Sequence, residues 1–271
     1  VKLFRFWDLS VAYDLQWNGL SKYMNANRLS HFLSLATAFN VKNYLRVQAS
    51  VLGTFVKDYR SSQNEQQASP KAHKFTPAVF VSYRPTQRAD LRFNAFYKQS
   101  YRFPTFNDLY YTDMGNAELK PELAKQRSVG LSYNLPFSVS GTAKRKNSQF
   151  GIQADYYYNR IKDKIIAYPK GQQFRWTMLN LGDVKINGLD VNTQLVFAFD
   201  YDITLTTKLQ YTYQTAIDVT DPNDVFYGDQ IPYIPWHSGS AIVMLSWRGY
   251  TLNYSFMYVG ERYNEQENSR Y

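Results

Sequence analysis

The sequence predicts an all-β protein, an antiparallel transmembrane β-barrel present in part. Three observations carry this prediction. Apolar and polar side chains alternate with a period of two, the alternating segments are long, and the connections between them sort into two kinds. No segment offers a 3.6-residue apolar stripe. The longest apolar runs, at 195–199 and 241–245, fall far short of the roughly 20 residues that a membrane-spanning helix needs.

About eleven strands are expected, over roughly 2–17, 29–39, 43–57, 74–84, 89–101, 124–135, 148–168, 173–198, 202–217, 236–247 and 250–262. In the first, Val11, Tyr13, Leu15 and Trp17 alternate with Ala12, Asp14 and Gln16. Over 89–101, Ala89, Leu91, Phe93, Ala95, Tyr97, Gln99 and Tyr101 share one phase, and Asp90, Arg92, Asn94, Phe96, Lys98 and Ser100 take the other. Leu189, Val191, Leu195 and Phe197 alternate with Asp190, Asn192 and Gln194. In 202–215, Ile203, Leu205, Thr207, Leu209, Tyr211 and Tyr213 oppose Asp202, Thr204, Thr206, Lys208, Gln210 and Gln214. Near the end, Leu252, Tyr254, Phe256 and Tyr258 alternate with Thr251, Asn253 and Ser255. Successive strand side chains point to opposite faces, so each segment presents an apolar face and a polar one. Globular strands average about 5–6 residues, whereas a tilted strand crossing a bilayer needs about 9–11. These segments reach the second figure.

Short connections fall near 40–42, 85–88, 199–201 and 248–249, and longer polar ones at 18–28, 58–73, 102–123, 218–235 and 262–271. Two links, 136–147 and 169–172, break the alternation. Short turns at one end and long loops at the other is the layout of an outer-membrane barrel, turns periplasmic and loops extracellular. The aromatic content agrees. Tyr 24, Phe 18 and Trp 5 make up 17% of the 271 residues. They gather toward strand ends, at Trp17 and Tyr23, Tyr97 and Tyr101, Tyr156 to Tyr158, Tyr211 and Tyr213, and Tyr254 and Tyr258. A half-wet ring suits the membrane interface. An odd strand count implies a contiguous part of a larger barrel, since single-chain bacterial barrels have an even number. Val1 opens with no initiator Met or signal peptide, which reads as a mature or internal piece.

Cysteine is absent, which excludes disulfide scaffolds, thiolate metal sites and a thiol nucleophile. There is no Gly-rich phosphate loop and no G-x-S-x-G elbow. His31, His73 and His237 lack metal-ligand spacing, and neither Ser30-His31 nor His237-Ser238 has an acidic third partner. No catalytic residue, metal site or cofactor is expected, so the chain is not read as an enzyme. Asp218, Asp221, Asp224 and Asp229 form an acidic loop whose plain reading is solvation, with an extracellular calcium site as the alternative. The net charge of +9 comes from scattered cations and one short run, Lys144-Arg145-Lys146, with no recognition module. Nucleic acid is therefore not expected as a partner.

Three segments carry a family resemblance. Tyr97-Lys-Gln-Ser-Tyr-Arg-Phe-Pro-Thr-Phe-Asn-Asp-Leu-Tyr-Tyr111 followed by Gly115-Asn-Ala-Glu-Leu-Lys-Pro-Glu122 resembles a strand ending in "Y-x-x-x-x-R-x-P", then "L-Y" and "G-N-x-x-L-x-P-E", in TonB-dependent outer-membrane receptors. Asn180-Leu-Gly-Asp-Val-Lys-Ile-Asn-Gly-Leu-Asp190 resembles their "N-x-G-x-x-x-x-G-x-E" strand, with Asp190 where Glu is usual. Ile231-Pro-Tyr-Ile-Pro-Trp-His-Ser-Gly239 resembles their "P-x-x-P-x-H" approach to a late strand. The motif residues Arg102, Pro104, Gly115, Asn116, Pro121, Glu122, Gly182 and Gly188 are read as structural. Pro104 ends a ladder, Gly115-Asn116 makes a turn, Pro121 favours extended entry into the next strand, and Gly182 and Gly188 mark bulges or close backbone approach.

The resemblance implies a large plugged barrel, of which this chain would be roughly strands 9 to 19 of about 22, with about three more beyond Tyr271. It implies active uptake of a scarce nutrient (ferric siderophore, haem or cobalamin) across the bacterial outer membrane. The implied partners are outer-membrane lipid and lipopolysaccharide, TonB through an N-terminal segment outside this sequence, and the nutrient complex, with a surface lipoprotein as a further candidate. A passive porin or adhesin barrel is the alternative. Tyr110, Tyr111, Asp113, Arg175, Trp176, Tyr227 and Tyr233 are the candidate ligand contacts, as aromatic and charged residues of the long loops.

Overall fold

The computed structural model describes residues 2–4, 6–21, 26–60, 71–111, 114–139, 146–170, 175–199 and 201–264. Twelve strands form one antiparallel sheet, each paired to the next in chain order. They are β1 (Lys2–Phe4), β2 (Trp7–Leu20), β3 (Ala26–Val41), β4 (Leu45–Arg60), β5 (Lys71–Tyr83), β6 (Asp90–Arg102), β7 (Glu122–Val139), β8 (Lys146–Lys170), β9 (Arg175–Ala198), β10 (Ile203–Asp218), β11 (His237–Trp247) and β12 (Tyr250–Val259). One short helix, α1 (Phe106–Tyr110), interrupts the pattern. Among the described residues β1 and β12 are the sheet's two edges. The expected Tyr23, Asp113, the Lys144-Arg145 pair, most of the 58–73 connection and half of each of the 136–147 and 169–172 connections lie outside the described residues.

Eleven strands have membrane-crossing length, from 10 residues in β12 to 25 in β8. The twelfth is a correction: the expected strand 2–17 is a hairpin, β1 and β2, with Phe4 paired to Trp7. The alternation changes phase there, from Phe4 and Phe6 to Trp7 and Leu9, and one strand cannot change faces in mid-run. Among the described residues the total is thus even, and strand parity carries no argument about what the chain is part of.

Register carries the apolar phase across the whole sheet on one face. Val11 faces Leu35, Leu35 faces Val51, Phe93 faces Leu131, and Leu209 lies between Thr193 and Ala241. This face is the more exposed one, with Val11 67%, Val129 59% and Leu252 70% accessible in the chain alone. A polar medium would not tolerate so continuous an apolar surface, and hydrocarbon requires it.

Aromatic rings rim this face at both ends. At the turn end Trp7 stacks on Phe39 at 5.5 Å and Phe197 meets Phe199 at 4.4 Å. At the loop end Trp17 lies 5.9 Å from Tyr59. His31 and His237 belong to the apolar phase too, and each shares a 2.8 Å hydrogen bond through Nδ1 with a tyrosine hydroxyl, Tyr13 and Tyr211 respectively. Tyr157 departs from the expected interfacial trio. It has the opposite phase from Tyr156 and Tyr158, and its hydroxyl donates to Gln214 on the polar face.

Pro77, Pro136 and Pro169 all sit inside strands without breaking them. Pro136 extends β7 past the expected end, paired with Gln149. Pro77 lies in β5 one residue before Ala78, where the β5–β6 ladder stops, so its missing N–H falls where no partner is offered.

The face assignment has a direct test. Leu209→Arg places a charge at mid-strand on the hydrocarbon side and is expected to cost about 2–4 kcal/mol of folding stability in lipid, while Gln210→Arg is expected to cost little. Equilibrium unfolding of both variants reads the difference.

Candidate functional site

The polar face is lined by short hydrogen-bonded pairs. Thr212 donates to Asp190 at 2.7 Å, Gln153 to Asp155 at 2.6 Å and Ser240 to Gln210 at 3.1 Å. Such a wall suits a wet interior. It stays open along most of its length. Nearly all of the buried apolar side chains collect at its loop end, in two clusters.

The first cluster is made by the 103–121 connection folding inward. Pro104 and Phe103 follow the end of β6, and Thr105 then caps α1. The Asp108 amide donates to Thr105 Oγ1 at 3.1 Å and the Thr105 amide to Asp108 Oδ2 at 2.9 Å, a reciprocal capping box. Arg102 reaches forward to Asp108 at 2.8 Å and across to its register partner Glu122 at 3.5 Å. The other Glu122 oxygen accepts the Ile165 amide of β8 at 2.5 Å. Gly115 leaves no room for a side chain, since a Cβ there would lie 2.6 Å from the Tyr111 nitrogen. The Asn116 side chain donates to the Met178 carbonyl of β9 at 3.1 Å. Beyond it, Lys120 and Asn180 exchange two hydrogen bonds, at 2.8 and 3.0 Å, one residue before Pro121.

The opposite end of this connection is held by Arg28 of β3. Its guanidinium grips Asp58 of β4 through Nε at 2.7 Å and Nη2 at 2.9 Å, and donates to the Pro104 carbonyl at 2.7 Å. The rings of Phe103 and Phe106 lie 4.4 and 4.7 Å from it. Asp58 is 0% accessible and the Arg28 side chain 11%. The Tyr110 hydroxyl also donates to Asp58, at 3.4 Å. With Leu109, Tyr110 and Leu119 packed on Ala26 and Ile165, the connection forms a brace from β3 to β9 across the polar side of the sheet.

The 219–236 connection folds in beside it. Ile231 packs on Val184, Ile186 and Ala216, of which Val184 and Ala216 are 0% accessible. The Gln230 side chain accepts the Ala216 amide at 2.8 Å and donates to the Ile234 carbonyl at 3.1 Å. The four aspartates of this stretch do not converge on a point. Asp218, Asp221 and Asp224 each accept the backbone amide two residues on, closing their own turns. No group of three metal-binding side chains occurs among the described residues.

The candidate ligand contacts divide accordingly. Tyr110 is buried in the brace and bonded to Asp58. Tyr111 and Trp176 are exposed beside the brace, and Tyr227 and Tyr233 on the 219–236 connection. Arg175 begins β9. Gly182 and Gly188 give the close-approach reading: a Cβ would lie 2.3 Å from Thr220 in one case and 2.2 Å from the Tyr157 ring in the other. Arg28 and Asp58 are missed by sequence reasoning. Each looks like an ordinary polar-phase residue, and only the register that sets them opposite one another reveals the pair.

Burial pushes the Asp108 carboxyl up, but the Thr105 amide, the Arg102 guanidinium and the Thr105 hydroxyl outweigh it and hold its pKa below the ordinary aspartate value. A depressed carboxyl contributes stability that is present above its unfolded pKa and lost as pH falls through the folded one. Amide protection across 105–111 is therefore expected to be flat at neutral pH and to fall only below about pH 4. Asp58→Asn leaves the Arg28 charge buried without a counter-charge, and is expected to cost about 3–5 kcal/mol. Arg102→Ala, at a half-exposed pair, is expected to cost about 1 kcal/mol or less. Thermal or denaturant unfolding separates the two.

The comparisons with known proteins agree with this architecture. A family model described as "TonB dependent receptor-like, beta-barrel" matches residues 38–271. A vitamin B12 transporter BtuB of Vibrio vulnificus is 38% identical over 91 residues, covering 34% of this chain and 13% of that protein. Another BtuB, of Photobacterium profundum, is 24% identical over 192 residues, covering 67% of this chain and 27% of that protein. Among solved structures, the copper transporter OprC superposes with a TM-score of 0.69 at 12% identity, over 94% of this chain and 41% of that one. The FrpB iron transporter of Neisseria meningitidis gives 0.61 at 13% identity, over 95% and 42%. At these identities the structures share the fold alone. The chain spans well under half the length of the relatives it matches.

Proposed function

This chain belongs to the TonB-dependent receptor family of the bacterial outer membrane, and on that premise we propose that it is a contiguous part of the barrel wall of a receptor that imports a scarce nutrient by TonB-coupled active transport. The observation that carries the proposal is the family match over all but the first 37 residues, on a sheet whose apolar and polar faces are arranged as a membrane barrel wall. The two open edges, β1 and β12, would be closed by further strands of the same barrel, because unpaired strand edges are not stable in hydrocarbon.

In this reading the eleven long strands hold a fixed aperture and the inward-folded connections narrow its outer mouth. Tyr111, Trp176, Tyr227 and Tyr233 offer rings to an entering ligand. Of ferric siderophores, haem and cobalamin, cobalamin is the first cargo to test, since the curated relatives of Vibrio vulnificus and Photobacterium profundum are both named vitamin B12 transporters. Energy from TonB would act through parts of the receptor outside this chain.

Uptake of labelled cobalamin by cells expressing the whole receptor tests the proposal. Saturable uptake that disappears on deleting the TonB system supports it, and uptake unchanged by that deletion supports a passive barrel. Trp176→Ala and Tyr227→Ala are each expected to weaken surface binding by roughly tenfold, the loss of one interfacial aromatic anchor, without changing heat-resistant folding.

A further inference from the structure

The short-turn end of the inner face is strongly basic between β3 and β6. Register sets Arg46 of β4 between Asn40 of β3 and Ser82 of β5. One pair past the last rung of the β5–β6 ladder, Tyr83 with Phe93, come Arg84 and Arg92. All three arginines share the inward phase of Gln48, Ser82 and Asn94. Lys42 sits beside them in the β3–β4 turn. Like charges set close together across a sheet repel and cost stability. Among the described residues one carboxylate answers them, Asp90, which takes Arg92 at 3.0 Å and Arg84 at 3.8 Å while its other oxygen accepts Asn134 at 3.0 Å.

These side chains border a recess of about 300 Å³, lined by Lys42, Arg46, Arg84 and Arg92 together with Asn40 and Ser82. The Arg84 Nε is buried and meets no acceptor among the described residues. A buried donor without an acceptor is costly, and a guanidinium offers its donors as a planar fork that fits a carboxylate or a phosphate. Arg46 is exposed and forms no ion pair among the described residues. The excess of positive charge is local. Farther round the wall the inward positions at the turn end are neutral: Thr204 and Thr206 of β10, Met244 and Ser246 of β11, and Thr251 of β12. The short turns mark the periplasmic end of the strands, so this recess lies where an imported molecule leaves the lumen.

We propose, on the reading of the chain as part of an importer, that this recess is an exit-side subsite that binds the phosphate or carboxylate group of an oxyanion-bearing nutrient on its way to the periplasm. Arg46 and Arg92 hold the oxyanion, Arg84 donates to it through Nε, and Lys42 adds charge at the turn. A bound oxyanion relieves the repulsion among the guanidiniums and gives the Arg84 Nε its acceptor. Lys42 and Arg46 are exposed, so water and salt screen the hold on the ligand. That suits a step which must end in release.

The test uses the whole receptor purified in detergent and titrated at low salt with inorganic pyrophosphate and, separately, with citrate by isothermal calorimetry. The parent is expected to bind at least one of the two, and the preferred anion identifies the group as phosphate or carboxylate. R46Q is expected to weaken that binding about tenfold and R46Q/R84Q about a hundredfold, one charge-assisted contact being lost at each position. K98Q/K208Q removes inner-face charge away from the recess and is expected to bind as the parent does. In cells, R46Q/R84Q is expected to leave surface binding of labelled cobalamin unchanged and to lower its maximal uptake severalfold. Binding of neither anion by the parent would overturn the site, as would unchanged affinity in R46Q or an equal loss in K98Q/K208Q. Unchanged uptake by a variant that no longer binds the anion would overturn the role in exit. A parent that binds the anion yet imports no cobalamin would refute the cargo and leave the site standing, so the two failures are distinguishable. Should the double variant fail to assemble, R46Q alone carries the test.

Discussion

A strand in hydrocarbon must have its backbone groups paired by its neighbours, and its side chains then have only two directions to go. That constraint orders everything else in this chain. Each long strand divides its residues between lipid and interior by parity, and register propagates the division without a break from Trp7 on β2 to Tyr258 on β12. Where a polar group falls in the outward phase it finds a partner within the rim, as His31 does with Tyr13. Where an aromatic falls in the inward phase it is given space, as Tyr157 is by the missing side chain of Gly188.

Specific architecture begins where the hydrocarbon ends. Above the apolar band both faces become free to carry charge. The inner face pairs its ions, burying Arg28 with Asp58 and setting a half-exposed Arg102 against Asp108 and Glu122. These pairs fix a connection that would otherwise be a long polar loop. Arg28 is the keystone, because its guanidinium joins β3, β4 and the Pro104 carbonyl beside two phenylalanine rings. A lysine there would keep the charge but lose the fork that satisfies three acceptors at once.

The fold was legible because alternation and strand length are written locally. Even the hairpin at Phe4 to Trp7 leaves a mark, the change of phase, although the strands on either side read as one when length alone is counted. Pro136 misled in the other direction, ending β7 early when the ladder continues through it. The site was less legible, because its pairs join residues far apart in sequence: Arg28 to Asp58, Asn116 to Met178, Lys120 to Asn180. The motif residues Arg102, Pro104, Gly115 and Asn116 stood out by resemblance, but their spacing does not disclose that the segment turns inward. Tyr110 stood among the exposed loop aromatics in sequence and is buried in the structure for the same reason.

The central claim is that parity separates lipid from interior along these strands. The chain has no cysteine, so single cysteines placed in turn at 205–213 of β10, in the whole receptor in native outer membrane, report each position cleanly. The account predicts that a water-soluble thiol reagent labels the even positions while a lipid-phase reagent labels the odd ones, through Leu209 and Tyr211. Labelling of adjacent positions by the same reagent along the strand would contradict it.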